Sequence, residues 1–102
     1  MIYELKKNTR EISYEKKKDI KKGCTLEQND QNPQIIEPFE DKEQALKILK
    51  SYKSDICKMS GGAGSYYLVT EYYVEENEYD EDGEWISGGN IWGFSEMPVL
   101  PE

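Results

Sequence analysis

Residues 66–94 read YYLVTEYYVEENEYDEDGEWISGGNIWGF. The run from Tyr66 to Glu76 is rich in Tyr, Val and Thr and is the strongest strand signal in the chain. Asp82-Gly83 is a favoured two-residue hairpin loop, so residues 84–94 are expected to return antiparallel. In that register Val74 faces Ile91 and Tyr73 faces Trp92, both sensible cross-strand pairs. Gly88-Gly89 marks a bulge or kink. Alternation places Tyr66, Leu68, Thr70, Tyr72 and Val74 on one face, and Tyr67, Val69, Glu71, Tyr73 and Glu75 on the other. The first set meets no acid before Glu76 and is expected to face the core. The second face, with Trp92, is expected to stand open to solvent or to a partner.

Working outward, residues 41–53 are the clearest helix. Asp41 is an N-cap with Gln44 three residues on, and Ala45, Ile48, Leu49 and Tyr52 form one apolar stripe. Ile2–Lys6, Ile35–Phe39 and Asp55–Met59 read as short strands, with Pro38 favouring an edge or a bulge. Residues 24–34 are a polar loop and Ser60–Ser65 a flexible connection. Residues 13–22 read as a helix capped by Ser13 and closed by Gly23, although Ile12–Glu15 also resembles a strand start. The expected fold class is α+β: one domain over 1–102, an antiparallel sheet of about four or five strands with one main helix packed on one face.

The 102 residues carry 13 Lys and Arg against 21 Asp and Glu, a net charge of −8, with no His and two Cys. The charge is uneven: +4 over 1–22, −2 over 23–59, and −10 over 60–102, where no Lys or Arg occurs. No apolar run approaches the ~20 residues of a membrane span. Met1–Lys6 has no signal-peptide pattern and Cys24 and Cys57 form no pair motif, so the reading is cytoplasmic, with reduced thiols and no membrane. Absence of His excludes Ser-His and Cys-His catalysis and His-ligated zinc.

Residues 75–84 hold seven acids in ten positions. As a calcium loop starting at Glu78 the segment would place Asn90 where a bidentate Glu is required. No metal and no cofactor is therefore expected, and the cluster reads as a solvated hairpin tip or an acidic docking patch. Ser60–Ser65 lacks the Lys and the following helix of a phosphate loop. Lys16–Lys18, Lys21 and Lys22 belong to an acidic chain, so direct nucleic-acid binding is not expected. No nucleophile–base arrangement appears, and the protein is read as a non-enzyme.

The stretch FEDKEQALKILKSYK at 39–53, followed by YYLVTEYYVEENEYDEDGEW at 66–85, resembles small acidic proteins carried by mobile elements and phages of Gram-positive bacteria. The resemblance carries no catalytic motif and implies no defined activity. Many proteins of that setting inhibit host defence enzymes or toxins. The leading expectation is a protein-binding module, an inhibitor of a host nucleic-acid-binding or defence protein, that meets a basic protein surface. Tyr67, Tyr73 and Trp92 would be its anchors, with Glu71, Glu75, Glu76, Glu78, Asp80 and Asp82 along the same hairpin. The same aromatics also read as the core of a chain otherwise poor in apolar residues. Alternative readings are a cation- or small-ligand-binding domain and a homodimer joined through the open sheet face.

Overall fold

A single long strand, β4 (Gly64–Tyr79), organises the chain. Residues 1–27, 33–62 and 64–100 are described here from a computed structural model. The part of the expected polar loop at 28–32 lies outside the described residues. β1 (Ile2–Ser13) runs antiparallel to β4 along one edge, from Ile2 opposite Asn77 to Ser13 opposite Tyr66. β2 (Gln34–Phe39) adds outside β1, with Tyr3 opposite Phe39. Pro38 stands on this outer strand, where its missing N–H leaves the sheet's interior ladders whole.

The other edge of β4 is shared. β3 (Asp55–Gly61) pairs with Gly64–Thr70, and β5 (Trp85–Phe94) pairs with Tyr73–Tyr79. Between them Tyr72 would lose both backbone partners. Ser95 supplies them: its N–H donates to the Tyr72 carbonyl at 2.8 Å, and its hydroxyl accepts from the Tyr72 N–H at 2.9 Å. The Ser54 and Ser95 hydroxyls bond at 2.6 Å and close the junction. The expected class, an antiparallel sheet of four or five strands with one α-helix, is what the described residues form.

Helix α1 spans Lys42–Leu49, with Asp41 as the N-cap accepting from the Glu43 N–H. It stops short of the expected residue 53. The N–H groups of Ser51 and Tyr52 bond back three residues, to Ile48 and Leu49, and the Ser51 hydroxyl also donates to the Ile48 carbonyl. That tightening ends the α pattern. Ala45 and Leu49 belong to a buried cluster with Leu5, Phe39 and Val74. A second cluster joins Ile12, Cys24, Ile56, Tyr67 and Val69. No helix among the described residues is long and apolar enough to cross a membrane.

The expected helix over 13–22 is replaced by the end of β1 and a 3-10 helix at Tyr14–Asp19; a second follows at Cys24–Glu27. The segment has no apolar stripe, so nothing rewards an amphipathic helix there. It anchors instead through Tyr14, stacked on Tyr67 at 5.8 Å, and through buried Cys24 and Thr25.

β4 is buried on both faces, and most deeply along the face that was expected to be open. Tyr67, Val69, Glu71 and Tyr73 are at most 1 % exposed, whereas Tyr66, Leu68, Thr70 and Tyr72 are only half-buried. Val74 is buried on the opposite face, so β4 is covered on both sides at its centre. The expected hairpin register also drifts. Tyr79 faces Trp85, Glu75 faces Ile91, Val74 faces Gly93 and Tyr73 faces Phe94, with three irregularities on the way. Gly88-Gly89 forms one of them, as expected. Gly88 has φ +127°, and a Cβ there would collide with the Glu76 carbonyl oxygen and with Asn77 Cα. Gly88→Ala is expected to cost about 2 kcal/mol or more through backbone strain and overpacking, read as a lower urea midpoint.

Candidate functional site

The end of the β4–β5 hairpin gathers the acids that the sequence places at 75–84. The turn is wider than a two-residue loop. Asp80 N–H donates to the Glu84 carbonyl at 2.8 Å, and Asp80 Oδ1 accepts from the N–H groups of Asp82 and Glu84 at 2.9 and 2.8 Å. Asp80 is thus a turn-former, its carboxylate occupied by the backbone it folds.

Other acids here are also engaged by the fold. Glu4, 5 % exposed, accepts from Asn77 Nδ2 at 2.7 Å and from the Tyr79 hydroxyl at 2.8 Å. Glu75 accepts from Lys6 Nζ and Asn77 Nδ2, each at 2.7 Å. Asn77 Oδ1 in turn accepts from Trp85 Nε1 at 2.8 Å. Asn77, which no local sequence signal marks, is the hub that ties β1, β4 and β5 together. Burial, then the hydrogen bond to Glu4, pushes the Tyr79 hydroxyl up to about 12. Burial, then the charges of Glu75 and Glu4, also raises Tyr73. A raised folded value means that the stability held in the Tyr79 proton is complete below the ordinary 10.0 and is lost as pH climbs toward about 12. Urea stability measured beside an ultraviolet tyrosinate titration should decline across that window, with Tyr79→Phe flatter.

Of the anchors expected from sequence, Tyr67 and Tyr73 are each 1 % exposed and serve the interior. The open face imagined for them does not exist as a surface. Trp92 is 46 % exposed; its Nε1 donates to Glu76 Oε2 at 2.8 Å, and Lys42 Nζ lies 4.1 Å from its ring centroid. Glu78 is exposed and accepts from the Ser87 hydroxyl at 3.2 Å. Asp82 is exposed, as are Glu81 and Glu84. Trp85 and Ile86, which are not among the expected anchors, are 58 % and 54 % exposed. Their place directly after the acidic turn, beyond the reach of the sheet's covering, was the available signal.

Glu71 is displaced furthest from its expected role. Fully buried, its carboxylate accepts from the N–H groups of Gly23 at 2.7 Å and Thr25 at 2.9 Å, and from the Cys24 thiol at 3.6 Å. Gly23 reaches it with φ +86°. Asn8 Nδ2 and Arg10 Nη1 hold the Thr25 and Cys24 carbonyls at 2.7 and 2.8 Å. Together these bonds strap residues 23–25 across the sheet. Burial raises the Cys24 thiol above its ordinary value.

The strands also turn the sequence charge asymmetry into a separation in space. The acidic turn lies at one end of β4; the Tyr14–Asp19 helix with Lys16, Lys17 and Lys18, and Lys58 of β3, lie toward the other. The molecule is 47 Å long, against a screening length of about 8–10 Å in physiological salt. Each end therefore presents its own field, and the net charge describes neither. Among the described residues no group of three or more His, Cys, Asp or Glu side chains is arranged to hold a metal ion. No protein-family model, curated protein or solved structure matches the chain.

Proposed function

We propose that the chain is a non-enzymatic, cytoplasmic binding module whose β4–β5 hairpin docks on a basic protein surface. In this reading it inhibits a nucleic-acid-binding or defence protein. One observation carries the reading. Seven carboxylates over 75–84 share their end of the molecule with three exposed large apolar side chains, Trp85, Ile86 and Trp92. Exposed aromatic side chains supply contact energy, and surrounding acids steer a basic partner toward them. Helix α1, in this reading packed on one sheet face, braces the hairpin from the Trp92 side.

The division of labour among the acids supports binding rather than chemistry. Glu4, Glu71, Glu75, Glu76 and Asp80 accept hydrogen bonds that hold the fold. Glu81, Asp82 and Glu84 project at the turn with no side-chain bond among the described residues, and are available for steering. Reversing these three to Lys should slow association with the basic partner while leaving the fold intact. Unchanged association in that variant would remove the proposal.

A further inference from the structure

We propose that the Trp92 indole face and the Glu76 carboxylate form a seat for an arginine guanidinium of the partner, and that Lys42 fills this seat until the partner arrives. The inference rests on the hairpin being the docking surface and adds which chemical group it takes.

The seat is already built in the free protein. The Trp92 Nε1 bond to Glu76 fixes the ring plane and holds a carboxylate at the ring edge. Trp92 is nearly half exposed. A cation stands on it now: Lys42 Nζ, 4.1 Å from the centroid, within the range where the negative ring face attracts positive charge. The ring is the one partner of this ammonium among the described residues. Lys42 is the first residue of α1, on a flexible four-carbon stem, and can swing away without disturbing the helix.

A guanidinium fits the seat better than the ammonium that occupies it. It is planar and stacks on the indole, and its forked N–H groups can reach the Glu76 carboxylate while it stacks. Trp85 offers no equal: its Nε1 is spent on Asn77, and no cation stands on its ring among the described residues. Lys42 therefore acts as an internal competitor that a partner arginine must displace.

The test is a nuclear magnetic resonance titration of the full chain, following the two indole N–H signals, assigned with Trp85→Phe. The probes are blocked tetra-arginine and tetra-lysine peptides. The proposal expects the Trp92 signal to move saturably and more than that of Trp85, with tetra-arginine the tighter ligand. Lys42→Ala should bind tetra-arginine about two- to five-fold tighter than the native chain, the value of an exposed cation–π contact. Lys47→Ala removes the same charge from an exposed site on the same helix and should gain less. A stationary Trp92 signal while the amides of residues 80–84 shift overturns the seat and leaves the docking surface standing. Equal gains from Lys42→Ala and Lys47→Ala overturn it too. If neither peptide moves any hairpin signal, both the seat and the docking surface fall.

Discussion

Replacing Glu71 with Leu is expected to destabilise the protein by about 3 kcal/mol, because one buried and one part-buried backbone N–H group lose their acceptor. Buried ion pairs are often exchanged for apolar residues at no loss, since both partners can be replaced together. Here the donors are the main-chain N–H groups of Gly23 and Thr25, which no side-chain substitution can remove. Without the carboxylate the buried Thr25 N–H stays unsatisfied, or the strap leaves the sheet. Against a typical total of about 5–15 kcal/mol, that loss is a large fraction. Urea unfolding should show it as a lower midpoint. Glu71→Gln keeps one acceptor oxygen and should fall between the two.

The same variant gives a second, local readout. Cys24 is fully buried within the strap and Cys57 is exposed on β3. The native chain should therefore show one thiol open to a large reagent and Glu71→Leu should show two. Cys57 will react slowly for an exposed thiol, since its hydrogen bond to Asp55 raises it above its ordinary value. Native stability and a protected Cys24 in Glu71→Leu would contradict the strap.

The second large effect concerns rate. Glu81, Asp82 and Glu84 changed together to Lys should slow association with the basic partner at least about ten-fold at low salt, since steering of this kind is worth roughly 10–1,000-fold. The dissociation rate should change less, because rim charges act mainly on encounter. The difference from the native chain should shrink as salt rises, and stopped-flow association across a salt series would display both trends. Glu75, Glu76 and Asp80 would be poor choices for this purpose. Each accepts a bond that shapes the hairpin, and their reversal would confound steering with misfolding.

Particular residues show what could be read from the chain. The Ala45–Leu49 stripe located the helix, Pro38 identified an outer strand, and Gly88-Gly89 marked a bulge. Each is a local signal, set by residues a few positions apart. The expected face does bury Val74, but burial of the Tyr67–Tyr73 face is not legible because Glu71 argues against it when considered alone. Its partner Gly23 lies 48 positions away, and nothing local announces that its N–H and that of Thr25 will satisfy the carboxylate. The hairpin register began within one position of that expected and drifted at each irregularity, so Tyr73 meets Phe94 and not Trp92. The candidate site was legible as a segment but not as a surface. Its acids are where the sequence puts them, yet Tyr67 and Tyr73 turn inward while Trp85 and Ile86 turn outward. The charge asymmetry survived folding because β4 is long: sixteen residues at about 3.3 Å each separate its two ends.

The most direct measurement is paired affinity capture from a lysate of the cell that makes the protein, at low and high salt. The native chain is compared with the Glu81→Lys, Asp82→Lys, Glu84→Lys variant, and captured proteins are identified by mass spectrometry. The native chain should hold a basic protein at low salt and release it at high salt, and the variant should not capture it. The same proteins on both baits, independent of salt, would contradict the docking proposal.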